Sequence, residues 1–268
     1  MVVRSYSFSV AVVTAYELYV VKLNAAGALQ WTRIVGGDMS VFGKGSPRGI
    51  VQTSDGGYAV AGYAEAVGGD HDVYIFKLNS AGSLLWTRLV GDWGYDDGNS
   101  IVQATDGGLV IAGAKQVGTG DTIYVVKLNS TGTLLWAQTL GSGVGYTIVN
   151  TSDGGYAVNV GDGIIKLNTS GIFQWGRRIS NVTPNWFGVG YTSLITTSDG
   201  GFAWVGSTSA SGAGAEDVYV MKLDAGGNNG TCVTSFSVIN GSGGTTSSVG
   251  TSITGGVSGS GGIAGSGG

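Results

Sequence analysis

Asp96 and Asp97 stand side by side, and His71, the sole histidine, lies between Asp70 and Asp72 in a glycine-rich stretch. Paired carboxylates can act as acid and base, or as nucleophile, in glycoside hydrolysis when they flank a bond. Both come here from one place in the chain, and a polar turn accounts for them. A histidine beside acids suits proton transfer or metal binding. No second histidine completes a zinc site, and a solvated loop residue accounts for His71. Two further acidic sets are periodic: Glu17, Asp72, Asp121, Asp162 and Asp217, and Asp55, Asp106, Asp153 and Asp199. Their regularity points to structure. The first set closes a loop or meets a repeated lysine, and the second occupies turns. No Asp-x-Asp-x-Asp-Gly calcium loop appears. No catalytic residue, metal site or cofactor is assigned.

Aromatic and amide residues give two more candidate groups. Trp93, Tyr95, Trp186 and Tyr191 suit stacking against a sugar ring. Asn-x-Ser/Thr occurs at Asn129, Asn150, Asn168, Asn181, Asn229 and Asn240, more than the roughly two or three that chance gives among a dozen asparagines. As glycosylation candidates they place the protein at the cell surface or outside the cell.

These residues sit on a repeat. The motif Lys-Leu-Asn recurs at Lys22, Lys77, Lys127 and Lys166 and as Lys-Leu-Asp at Lys222, in steps of 55, 50, 39 and 56 residues. Repeats of about 40–50 residues with several short strands each suggest propeller blades. Each unit reads as four strands. Strand A ends in Asp-Gly-Gly, a tight turn; strand B follows as YAVAGYA, LVIAGAK, YAVNVG or FAWVGST. Strand C is VYIFKLN or its equivalent, and strand D is SLLWTRLVG or its equivalent. Asn-x-x-Gly between C and D marks a bulged hairpin. Strands C and D are apolar on both faces, as in sheets sandwiched between others. Trp31, Trp86, Trp136 and Trp175 recur on strand D and read as wedges between blades. The innermost strands begin near Arg48, Asn99, Tyr146, Thr192 and Ser248, where propeller enzymes carry catalytic groups.

The expected fold is all-β: a five-bladed β-propeller of four-stranded antiparallel blades, closed by N- and C-terminal strands sharing one blade. Residues 7–14 read as strand B of the first blade, 247–256 as its strand A, and 231–240 as strand D of the fifth. Residues 1–256 form one domain, and 257–268 a Gly/Ser-rich tail that is a linker or, through Val257, Ile263 and Ala264, a strand for a sheet edge. The apolar start aligns better with a repeat strand than with a signal peptide. Charged residues make up 11% of the 268 and net charge is −4, which excludes an electrostatic footprint for nucleic acid. No run is long enough for a membrane span. The single cysteine, Cys232, excludes an internal disulfide.

The units K-L-N-x-x-G-x-L-x-W and T-x-D-G-G-Y-x-V-x-G resemble propeller repeats of large secreted or cell-surface proteins of bacteria and archaea. The C–D segment is also similar to the tryptophan-bearing blades of quinoprotein dehydrogenases, whose charged, metal-containing centre is not evident here. The first resemblance implies a fold more than an activity. With no catalytic cluster, the expectation is a non-enzymatic extracellular propeller that assembles with itself into a filament or coat. Its alternatives are a lectin-like module binding surface glycans and a glycoside hydrolase using Asp96 or Asp97.

Overall fold

A computed structural model describes residues 2–6, 16–36, 42–66, 69–92, 94–180, 192–208, 217–230, 233–236, 240–241 and 257–259. Every regular element among them is a strand. The chain divides into two compact units, Met1–Gly98 with Ser248–Gly268, and Asn99–Ser247. In the first unit β1 (Val2–Tyr6), β2 (Tyr16–Leu23) and β3 (Leu29–Gly36) make one antiparallel sheet. β4 (Phe42–Gln52), β5 (Tyr58–Ala66), β6 (His71–Leu78) and β7 (Leu84–Val90) make a second. β8 (Asp96–Gln103) contains the boundary and opens a third sheet with β9 (Leu109–Val117), β10 (Gly120–Leu128) and β11 (Leu134–Ser142). A fourth follows from β12 (Thr147–Asn150), β13 (Tyr156–Asn159), β14 (Gly163–Leu167) and β15 (Phe173–Ile179). The fifth holds β16 (Ser193–Thr196), β17 (Phe202–Thr208) and β18 (Asp217–Leu223). The short strands β19 (Val233–Phe236), β20 (Asn240–Gly241) and β21 (Val257–Gly259) complete the order. The protein is thus all-β, with repeated antiparallel sheets of the propeller type.

Two turns generate each sheet. In the Asp-Gly-Gly hairpin, Thr53 N–H donates to Gly57 O at 2.9 Å and Gly57 N–H to Asp55 Oδ1 at 2.9 Å. Gly56 takes φ +78°, which favours glycine. In the second hairpin Asn79 Oδ1 accepts from Ala81 N at 3.0 Å and Ser83 N at 2.8 Å. The register slips at Lys77/Leu78, the bulge the Asn-x-x-Gly pattern implies.

The repeated lysines meet the hairpin acids, not the acids preceding strand C that the sequence offered as partners. Lys77 pairs with Asp55, Lys127 with Asp106 at 2.6 Å, Lys166 with Asp153 at 2.8 Å and Lys222 with Asp199 at 2.7 Å. The reason is register: Lys77 stands opposite Ala59, one turn of chain from Asp55, and the other sheets repeat this pairing.

Within each unit one face of a sheet lies on the opposite face of the next. Leu18 and Val20 pack with Phe76 and Leu78. Val110, Ala112, Ile123 and Val125 pack with Tyr156 and Leu167. Ala157 and Ile164 pack with Phe202 and Leu223. The strand-D tryptophans reach across these joints: Trp31 to Tyr58 (ring centroids 5.5 Å), Trp136 to Tyr156 (6.4 Å) and Trp175 to Phe202 (6.0 Å). Each also sits against the hairpin glycine of the following sheet, where a Cβ would stand 3.0 Å from Trp31 at Gly82, and 2.8 Å from Trp136 at Gly171 and from Trp175 at Gly227.

The two ends depart from expectation. β1, residues 2–6, takes the strand-B place beside β2 that was assigned to 7–14; residues 7–15 lie outside the described residues, as do 247–256. The C-terminal β21 shares the first sheet but pairs with β3, through Val257 and Gly36, at the edge opposite β1. The fifth sheet holds three strands among the described residues. Its expected strand D instead places β19 beside β15 of the fourth sheet and β20 beside β11 of the third. That segment lacks the Leu-x-Trp of the other D strands. Its Phe236 seats against Gly176, where a Cβ would meet the ring at 2.8 Å.

Candidate functional site

One cluster in the first unit gathers residues that the sequence showed only separately. It begins with a slip in β4. Register passes from Pro47↔Gly62 to Gly49↔Ala61, leaving Arg48 as the extra residue of a bulge. Pro47 has no N–H to give the ladder, and Gly62 leaves the room the bulge needs: a Cβ there would collide with Ser46 O and stand 2.9 Å from Pro47 Cα. Arg48 Nη2 reaches Asp97 Oδ2 at 3.1 Å, and its guanidinium lies over the Tyr63 ring at 5.0 Å.

His71 starts β6. Its N–H donates to Gly94 O at 3.1 Å, and a parallel bridge joins it to Tyr95. The imidazole stacks on Tyr63 at 4.4 Å and 16° and meets Tyr95 edge-on at 4.8 Å. Its Nδ1 stands 3.8 Å from Asp97 Oδ1, beyond direct hydrogen-bond length but within ion-pair range. That same Oδ1 is buried and has no hydrogen-bond partner among the described residues. A buried acceptor left so is costly, and a donor arriving from His71 relieves the cost.

Two more carboxylates border the cluster. Asp96 is fully buried, and its Oδ2 accepts from Asp92 N at 3.1 Å. At Gly91 an added Cβ would collide with the Asp72 carboxylate and stand 2.7 Å from Asp96 Oδ2, so both acids crowd one point of bare backbone. Among the described residues no group of three or more His, Cys, Asp or Glu is arranged to hold a metal ion. The arrangement can move a proton at His71, stabilise the resulting imidazolium through Asp97, and offer the Arg48 charge and the half-exposed Tyr95 ring to a ligand.

Of the stacking candidates, Tyr95 belongs to this cluster and is 50% exposed; Trp93, Trp186 and Tyr191 lie outside the described residues. Among the sequons, Asn129 and Asn168 use Oδ1 to close hairpins, accepting from Thr133 N at 2.8 Å and Ile172 N at 2.9 Å. The Nδ2 of Asn150, the atom a glycan would occupy, donates to Gln103 O at 2.8 Å. Asn229 is exposed, Asn240 lies in β20, and Asn181 is outside the described residues. Tyr63 was missed in the sequence. Its only signal there was an aromatic in strand B, level with no polar motif.

No protein-family model and no curated protein matches the chain. Solved structures do. A protein of unknown function from Bacteroides caccae aligns with TM-score 0.52 and 15% identity, over 85% of this chain and 76% of its own. A candidate gluconolactonase aligns with TM-score 0.41 and 17% identity, over 75% of this chain and 73% of its own. The first likeness shows a shared fold and no more. The expectation of a non-enzymatic filament or coat subunit is corrected at this point. Its premise was that no candidate groups converge, and His71, Asp97 and Arg48 do converge in the first unit.

Proposed function

We propose that the chain is an enzyme that hydrolyses a small hydroxylated substrate, with His71 as its proton-transfer group. The carrying observation is the buried Asp97 Oδ1, which has no hydrogen-bond partner among the described residues and faces the Nδ1 of the one histidine, which Tyr63 and Tyr95 hold in place. His71 takes a proton from water as the water attacks, and Asp97 stabilises the imidazolium formed. Arg48 supplies positive charge to an oxygen that becomes negative as the bond breaks. The exposed face of Tyr95 stacks on the substrate, and carboxylates suit its hydroxyls. The five sheets are read as blades of a propeller, a reading supported by the shared repeat and by the fold likeness.

The test is turnover of sugar lactones, glycosides and nitrophenyl esters by wild type and His71→Gln. For a substrate in this panel, His71→Gln is expected to lower kcat by about 10²–10⁴-fold, the usual share of a positioned acid–base group. No turnover of any member, or full kcat in the variant, overturns the reading.

A further inference from the structure

An asparagine or aspartate followed by glycine can modify itself. The glycine nitrogen, with no Cβ behind it, can reach the side-chain carbonyl carbon one residue back, and the reaction is intramolecular. Such steps occur eight times: at Asp55, Asp97, Asp106, Asp153, Asp162 and Asp199 before glycine, and at Asn229 and Asn240 before glycine. What separates them is how firmly the fold holds the two reacting groups.

In the four Asp-Gly-Gly hairpins both groups are engaged. The nitrogens of Gly56, Gly107, Gly154 and Gly200 each donate to the carbonyl three residues back at 2.8–3.0 Å. Each aspartate accepts from the second glycine of its turn at 2.9–3.1 Å and meets a lysine. Asp97 is held by Arg48 at 3.1 Å and Asp162 by Arg178 at 3.0 Å, and their glycines lie in β8 and β14. Asn240 and Gly241 form β20, paired with Leu140 and Thr139.

Asn229 and Gly230 differ from all of these. They follow the hairpin that Asp224 and Asn228 close, where Asp224 N donates to Asn228 O at 2.8 Å, and they precede β19, belonging to neither. Both are exposed. Gly230 takes φ +94°, nothing stands within 4 Å of the place a Cβ would occupy, and its N–H has no hydrogen-bond partner among the described residues.

We propose that Asn229 is a site of spontaneous self-modification. The Gly230 nitrogen gives its proton to solvent base and bonds to Asn229 Cγ, and ammonia leaves from the side chain. The five-membered imide so formed is opened by water at either carbonyl, giving aspartate or isoaspartate. No oxidant or enzyme is required. The product places a negative charge next to Asn228, whose Oδ1 accepts from Arg177 Nε at 3.0 Å. The isoaspartate form also inserts an extra carbon into the main chain that leads to β19, which is paired with β15 from Val233 and Ile179 onward.

Peptide mass spectrometry with residue-level fragmentation tests this on the full chain held in mildly alkaline buffer, folded and in urea. In the folded chain Asn229 is expected to convert at least about tenfold faster than Asn240, which must wait for β20 to open. In urea the two steps should convert at similar rates. Gly230→Ala should slow conversion at Asn229 by about tenfold, because a Cβ hinders the attacking nitrogen. Folded chain that keeps Asn229 intact while the unfolded chain converts, equal rates at Asn229 and Asn240 in the folded chain, or undiminished conversion in Gly230→Ala overturns the proposal.

Discussion

Asp153 shows what the repeated ion pair does at the level of a single residue. Burial works to raise its pKa, but hydrogen bonds from Lys166, Thr151 and the Gly155 N–H outweigh it, and the carboxyl falls from 3.8 to about 2. Lys77 with Thr53, and Lys222 with Thr197, likewise hold Asp55 and Asp199 well below the usual carboxylate range. A carboxyl whose pKa is lower in the folded chain stabilises the fold above its unfolded value and loses that contribution as pH falls through the folded one. Stability should therefore drop between about pH 4 and pH 2. Lys166→Met removes the main partner of Asp153, so urea midpoints should fall less steeply over that window in the variant than in wild type. Equal slopes would show that the pair is too screened to contribute, since the Asp153 side chain is 54% exposed. The acids and lysines were plain in the sequence as periodic sets, but which set met the lysines was not. That choice depends on strand register, which composition does not encode.

At the scale of the element, the Asn-x-x-Gly hairpin does two jobs that the sequence showed as one. Its glycine was legible as a left-handed turn residue, and φ of +77° at Gly171 bears this out. Its second job, leaving room for the tryptophan of the preceding sheet, is a tertiary contact between repeats, and one repeat cannot reveal it. The two contributions can be separated. Gly27→Ala meets strain alone and should cost about 1–2 kcal/mol. Gly171→Ala adds a collision with the Trp136 ring and should cost about 2–4 kcal/mol. Chemical denaturation measures both, and equal costs would mean that the Trp136 ring moves aside freely. The strand tryptophans, the bulges and the four-strand meander were all readable because each is a local pattern repeated several times. The end strands were not, because β19, β20 and β21 pair along the outer edges of sheets distant in sequence, and their own residues carry little pattern.

For the whole molecule, repetition explains why fold and function differ in legibility. A repeat writes its packing rules several times, so the all-β sheet architecture follows from the sequence. A site needs what is not repeated: the bulge at Arg48, the one histidine, and Tyr95 with Asp97 at the start of β8. Each is visible in the sequence by itself: Arg48 near the start of an innermost strand, Asp97 as a turn, His71 as a loop residue and Tyr95 as a stacking candidate. The chain from 48 to 97 must fold before they meet, and Tyr63, which completes the stack, carried no motif. The proposed site depends on that convergence, and the single histidine makes it accessible. Nuclear Overhauser measurements on the full chain should connect the His71 ring protons to the ring protons of both Tyr63 and Tyr95, with His71 shifted upfield by the stacked tyrosine ring and the shift lost in Tyr63→Ala. A His71 ring with the chemical shifts of a solvated histidine and no contact to either tyrosine would contradict the site, and with it the proposed chemistry.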